Sequence, residues 1–403
     1  MLLVALNLRA AITSLGPLLD EVRTGLHLSG PMAGVVTTMP TIAFAVFGAL
    51  TPWLVRRVAP TRVLVAAMTV LALGQILRVG AHGWVGFVAF SALAMSGIAV
   101  ANILLPMLVK QYFPHHAGVV TGAYTMALTL GASAAAAFTV PVADALGSWR
   151  AGLAVWTVLA VVAALPWLPA ALRRGQRMAR RRSSGPRVRP ARTRLGWAMA
   201  VYFGMNALAG YAAMGWLAQL FRDASYTPRA AGVLLAGVTA IGVPIALVMP
   251  TVATRLRTLR PLVLLMSVAS AASYLGLLLS PAGGSWLWVA LLAVGQGGFP
   301  LILVAIGLRS RTTEGTVALS AFTQSSGYVL AALGPFLVGV LHSATGGWTA
   351  PIGVLLVALA VQTVAGLIIA RPRFVEDAAP RAVGDQPVAA VSRGPVTASS
   401  TVG

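Results

Sequence analysis

RRGQRMARRRSSGPRVRPARTR, Arg173 to Arg194, carries ten arginines and no acidic residue. The stretches on either side are of the opposite character. AGLAVWTVLAVVAALPWLPAAL (151–172) leads into it and LGWAMAVYFGMNALAGYAAMGWL (195–217) leads out, and neither holds a charged side chain. A basic segment between two long apolar runs reads as a loop on one side of a membrane, with one spanning helix entering and another leaving. Read this way, the loop divides the chain in two.

Composition supports that reading. Of 403 residues, 58% are hydrophobic and only 9% are charged, and the mean hydropathy is +0.86. A soluble domain carries about 25% charge. So few charged side chains cannot cover a water-facing surface, and most of the outer surface must meet lipid. Apolar runs near the length that crosses a bilayer recur along the chain. Six precede the basic loop, at 1–19, 32–54, 62–80, 84–109, 116–141 and 151–171. Six follow it, at 196–221, 229–253, 260–280, 285–308, 315–341 and 348–370. The first run lacks a basic n-region and is one of many, so it reads as a span rather than a signal peptide. Several further residues are expected ahead of it. The fold class expected is an all-α integral membrane protein of twelve transmembrane helices in two pseudo-symmetric six-helix bundles.

The net charge of +21 invites a nucleic-acid reading, but the arginines sit in short loops. Connections after the even-numbered spans hold Arg56, Arg57, Arg62, Lys110, Arg255, Arg257, Arg260, Arg309 and Arg311. The loops or helix ends on the other face hold only Arg23, Arg78, Arg150, Arg222 and Arg229. This asymmetry places the basic connections and both termini in the cytoplasm. The expected layout is a bundle over 1–172, a basic cytoplasmic linker over 173–195, a second bundle over 196–370 and a disordered cytoplasmic tail over 371–403. The linker reads as a solvated segment able to touch anionic lipid headgroups. No folded module remains to present nucleic acid, and a monomer is expected.

The two halves echo each other at a nearly constant offset. GPMAGVV (30–36) aligns with PRAAGVL (228–234), Pro52 with Pro250, Arg57 with Arg255 and Gly97 with Gly295. Duplicated halves around a central path are an architecture of secondary transporters.

Chemistry must then come from polar side chains inside the spans. There is no cysteine, no HExxH and no Walker loop, so no enzyme, metal, cofactor or ATP-driven reading arises. Arg9 falls near the middle of the first span, where a charge is costly unless paired or solvated. Thr13 lies one turn on and shares its face. None of the eight acids lies in the middle of a span. An arginine without a protein anion is free to take a substrate anion, or to offer its planar fork to a neutral hydrogen-bonding solute. Asn102, Asn206, Tyr211, Gln296, Gln324 and Tyr328 are further candidates for holding a small polar solute. Pro17, Pro40, Pro106, Pro244 and Pro300 are candidate gating breaks, because proline removes a donor and bends a helix.

The motifs ALNLRAAITSLGPLLDEV, LSGPMAGVVTTMPTIAFAVFGALTPWLVRR and LLPMLVKQYFPHHAGVVTGAYT resemble the major facilitator superfamily. More closely, they are similar to its branch of bacterial cyanate and 2-nitroimidazole transporters. The likeness rests on Asn7–Leu8–Arg9, Gly16–Pro17–Leu18–Leu19, Ser29 with Gly34, and Pro40. It implies a central cavity lined by the first, fourth, seventh and tenth helices, which carry Arg9, Asn102, Asn206, Tyr211 and Gln296. One departure is that Pro52 stands where the superfamily's second-to-third loop usually has Asp. The function expected is secondary active or facilitative transport of a small anionic or polar solute across the inner membrane. The alternatives are a multidrug or metabolite exporter and a non-transporting sensor or scaffold. With no mid-span Asp, Glu or His, uniport, exchange, or symport with the proton riding on the substrate is expected.

Overall fold

A computed structural model describes residues 1–113, 116–172 and 189–378. Most of the basic linker and most of the tail lie outside these residues, as do the side chains of a few residues within helices, Pro106 among them. The described chain is all-α. The first half contains α1 (Leu2–Thr13), α2 (Leu19–Leu26), α3 (Gly30–Arg57), α4 (Pro60–Gly80), α5 (Trp84–Tyr112), α6 (Ala117–Ala145), α7 (Trp149–Ala164) and α8 (Leu168–Leu172). The second half contains α9 (Arg194–Asp223), α10 (Pro228–Arg255), α11 (Arg260–Leu279), α12 (Ser285–Gln296), α13 (Gly298–Leu308), α14 (Thr313–Ala331), α15 (Leu333–Thr345) and α16 (Thr349–Ile369).

Among the described residues, eleven segments are long and apolar enough to cross a membrane. They match eleven of the twelve expected spans; the exception is the span expected at 196–221, which falls in α9. The reason is physical. α9 packs against α10, α14, α15 and α16 and against the turn after α1, so it is buried around most of its circumference. A helix enclosed by protein needs no lipid-facing apolar stripe, and α9 spends its positions on Gly, Tyr, Asn and Gln instead.

The first span also differs from expectation. It continues through a 3-10 turn at Gly16–Leu18 into α2 and ends at Leu26. Asp20 and Glu21 therefore belong to the span's outer turns. Arg9 lies about 10 Å of helix rise from Leu2 and about 7 Å from Ser14 at the middle of the span. It is level with Tyr211, which is close to the centre of α9.

The sequence repeat is visible in the packing. α4 lies on α5 and α7, as α11 lies on α12 and α16; α3 meets α5 as α10 meets α12. The two halves join through α3 with α14 and α15, and through α6 with α10. Ser29 caps α3 by accepting from the Met32 N–H at 3.4 Å, and Thr227 caps α10 by accepting from the Ala230 N–H at 3.2 Å. Each supplies an acceptor to an orphan amide at the helix start. Gly97 and Gly295 serve one purpose in the two halves. A Cβ on Gly97 would strike the Ala67 carbonyl, and one on Gly295 would strike Ser270. Each lets a helix approach its neighbour closely.

Several arginines counted as loop charges are helix caps. Arg62 Nε donates to the Ala171 carbonyl at 2.8 Å. Arg309 Nε donates to the Ile369 carbonyl at 2.9 Å and its Nη2 to that of Ala370 at 3.2 Å. Arg150 Nη1 donates to the carbonyls of Val79 and Ala81. A guanidinium at a helix C-terminus satisfies orphan carbonyls and opposes the dipole there.

Candidate functional site

The NLR tripeptide points α1 at two partners. Asn7 is buried and its Nδ2 donates to the Trp156 carbonyl on α7 at 3.4 Å. Two residues on, half-buried Arg9 faces α9. Its Nη1 donates to the Tyr211 hydroxyl at 3.4 Å and meets the Met214 sulfur at 3.9 Å. The guanidinium carbon lies 5.6 Å from the centre of the Tyr211 ring. These contacts are long, so the fork is held by soft partners rather than by a tight polar bond. Among the described residues, no carboxylate lies within ion-pair distance of Arg9.

Gly16 allows this arrangement. A Cβ there would collide with the Met214 carbonyl, so α9 comes against the turn after α1 only because that turn is bare. Gly16→Val is expected to lower the yield of folded protein in detergent severalfold and to reduce its melting temperature. Size-exclusion profiles with thermal unfolding check it.

Beyond Tyr211 stands an aromatic wall. Phe44 stacks on Tyr328 with ring centres 5.0 Å apart, and Phe203 meets Tyr328 edge-on at 5.0 Å. Tyr211 lies 6.2 Å from Phe44 and 6.4 Å from Tyr328. The wall draws on α3, α9 and α14 and so crosses between the halves. It offers ring faces and phenolic hydroxyls beside one cation, a chemistry suited to a small flat or anionic polar solute.

The expected site residues are distributed as follows. Arg9, Tyr211 and Tyr328 come together. Gln296 reaches the same helix, because a Cβ on Gly210 would sit 3.1 Å from its Oε1. Asn206 is buried one and a half turns before Tyr211, beside Gly298 at the α12–α13 break, and its Oδ1 has no hydrogen-bond partner. Thr13 is buried and its hydroxyl is likewise without a partner. Asn102 is half-buried on α5. Gln324 turns to its own helix, with Nε2 donating to Ser320 Oγ at 2.9 Å. Among the prolines, Pro17 lies in the 3-10 turn between α1 and α2, and Pro300 follows the break at Gly297. Pro40 and Pro244 lie inside the unbroken α3 and α10. The side chain of Pro106 is outside the described residues.

Sequence reasoning missed Phe44, Phe203 and Met214 because apolar side chains in spans are too common to single out. It also placed Arg78 at a helix end on a loop face. Arg78 is in fact buried against a narrow cavity of about 20 Å³ whose walls include Thr37, Pro40, Ser91, Tyr211 and Met214.

The sequence model of the Major Facilitator Superfamily matches residues 1–331. The chain belongs to this superfamily. It is 33% identical over 382 residues to the uncharacterized transporter YycB of Bacillus subtilis (strain 168), covering 92% of each chain. It is 31% identical over 382 residues to the 2-nitroimidazole transporter of Escherichia coli (strain K12), covering 92% of this chain and 94% of the relative. Among solved structures it resembles a bacterial homologue of the human lysosomal transporter Spinster in an inward-facing, occupied conformation. There the TM-score is 0.70 at 16% identity over 92% of this chain and 93% of the other. Likeness at that identity concerns the fold alone.

Among the described residues, the ion pairs that join the halves of this superfamily member lie at one end. Arg222 Nη1 lies 2.9 Å from Glu21 and its Nη2 lies 3.5 Å from Asp20. Gln219 Nε2 donates to Asp20 at 3.0 Å. Arg229 pairs with Asp144 at 2.8 Å. Buried Trp216 donates across to Thr37 Oγ1 at 3.2 Å and, within its own half, to the Pro335 carbonyl at 3.1 Å. This end, carrying the α1–α2 turn and the starts of α3 and α10, is closed by contacts between the halves.

Proposed function

We propose that the chain is a secondary active or facilitative transporter. It moves a small anionic or polar solute, cyanate- or nitroimidazole-like, across the bacterial inner membrane by alternating access. The observation that carries the reading is Arg9, a cation without a carboxylate partner, set beside the Tyr211–Tyr328–Phe44 wall where the two halves meet. A solute carboxylate, cyanate or nitro oxygen would accept from the guanidinium while the rings cover its faces. The name of the 2-nitroimidazole relative supports this solute class.

In this reading α9 is the twelfth span and residues 1–172 and 196–370 are two bundles that rock around Arg9. Both termini are cytoplasmic, and the closed end faces outward. The charges of the linker lie along anionic headgroups, and the monomer is the working unit. No carboxylate among the described residues stands beside Arg9, so the solute moves alone, by exchange, or with a proton it carries itself.

Purified protein in liposomes tests this. Cyanate, short carboxylates, nitroimidazoles and nucleobase-like solutes are offered in turn, with a trapped pH dye. Saturable uptake of at least one class is expected. Proton influx coupled to a permanently charged substrate would overturn the coupling scheme, and failure of every class to move would overturn the reading itself.

A further inference from the structure

Arg78 is only 1% exposed and is among the largest fully buried side chains of the protein. Its position near the end of α4 would let it reach water, yet it turns inward. Its Nε and Nη2 have no hydrogen-bond partner among the described residues. The described carboxylates are engaged elsewhere. Asp20 and Glu21 serve Arg222, Asp144 serves Arg229, and Asp223 serves His342. Glu376 accepts from the Arg311 and Thr312 amides, and Asp377 pairs with Arg311.

Two neighbours share its condition. Gln75, one turn back on the same face of α4, is 0% exposed, and neither amide atom has a partner. Ser91, on α5, is 2% exposed, and its hydroxyl has no partner. The surroundings are apolar, with Ile12, Leu15, Val36 and Met95 walling the same cavity as Arg78 and Ser91. An orphaned neutral polar group in such a place costs about 1–3 kcal/mol, and an orphaned charge costs more. Of the three, Arg78 and Ser91 border one cavity.

The cavity gives a guest a place and a size. Arg78 and Ser91 line one part of it, and Tyr211 and Met214 of α9 line another. Its volume of about 20 Å³ admits one water-sized particle. The Arg78 guanidinium and the Ser91 hydroxyl can both donate into it, so the guest accepts. A water would satisfy some of the bonds but leave the charge uncompensated.

We infer that Arg78 and Ser91 form a second anion site, holding one small monovalent inorganic anion of halide size. Its cation is Arg78 rather than Arg9, although Tyr211 and Met214 border both, and it stands whether or not Arg9 takes the transported solute. Because α1, α3 and α9 all wall the cavity, the bound anion links the two halves and favours the conformation closed at that end. The anion is either a resident halide or a transported one.

Thermal unfolding of the purified full-length protein tests it. Chloride, bromide, nitrate and cyanate are compared with gluconate at constant ionic strength, for wild type, Arg78→Met and Ser91→Ala. Wild type is expected to gain about 3 °C, saturably, with at least one of the small anions. Arg78→Met should show no gain, and in gluconate should melt no lower than wild type, because a buried unpaired charge has been removed. Ser91→Ala should need about tenfold more anion for half the gain. Arg9→Ala should keep the response, so this result is read independently of transport. A response to halide, without halide uptake into liposomes, assigns the site to a resident ion. A response to halide with saturable halide uptake assigns it to a transported ion, and a response to cyanate or nitrate alone overturns the halide-sized site. Equal melting of wild type in gluconate and in every small anion overturns the proposal, as does a full response in Arg78→Met. Should Arg78→Met not fold, an unchanged anion midpoint in Ser91→Ala overturns it.

Discussion

Arg9→Ala is expected to reduce initial uptake into proteoliposomes roughly 100-fold or more, for whichever solute the wild type moves best. Truncating one partner of a desolvated, hydrogen-bonded charge pair costs about 2–5 kcal/mol, and each 1.4 kcal/mol is about tenfold. Arg9 qualifies because its protein contacts are weak. The Tyr211 hydroxyl at 3.4 Å and the Met214 sulfur at 3.9 Å leave the fork available to a guest. Arg9→Lys separates charge from shape. It keeps the cation but loses the planar pair of donors, and uptake is expected to fall about tenfold. Stability should move little in either variant, since no carboxylate among the described residues is stranded by the change. Uptake by Arg9→Ala within about twofold of wild type, at equal amounts of reconstituted protein, would remove Arg9 from recognition.

Arg222→Ala is expected to open the closed end. Arg222 is the best-placed charge joining the halves there, with its side chain 17% exposed and both Asp20 and Glu21 within reach. It also donates to the Pro17 carbonyl at 3.3 Å, tying the turn that carries Gly16. A pair of this kind, partly screened, is worth about 1–2 kcal/mol, which shifts a two-state ratio roughly 5–30-fold. Arg229 differs, with its side chain 63% exposed, and Arg229→Ala should shift the ratio little. The chain has no cysteine, so Leu146→Cys with Gly347→Cys gives one unambiguous pair of spin-label sites at this end. Pulsed dipolar spectroscopy should show a longer-distance population growing in Arg222→Ala. A distance distribution identical to that of the parent would refute the latch.

Much of the fold could be read in advance because lipid imposes a simple code. Spans are long and apolar, their connections are basic on one face, and duplicated landmarks repeat. Ser29 and Thr227, capping α3 and α10 alike, show that the repeat extends to local hydrogen bonding. The site was less legible. Tyr211 and Tyr328 could be named as mid-span polar residues, but only packing reveals that they meet Arg9 or each other. Gln324 was an equal candidate by sequence and turns instead to Ser320. Arg78 shows the main difficulty. Position along a helix tells how far a side chain lies from water, whereas rotation about the helix decides whether it gets there. That rotation is fixed by contacts with α5 that a single helix sequence does not encode.

The enclosure of α9 has a consequence for how the chain is made. A nascent helix leaves the translocation channel for lipid when its own side chains prefer lipid, and α9 has few that do. It is buried against α10, α14 and α16, and all three are synthesised later. The helix that later holds Tyr211 beneath Arg9 must therefore wait for its neighbours, at the protein margin of the channel rather than in the bilayer. The same side chains that build the solute wall make membrane integration of the second half a collective event, completed only when the last helix arrives.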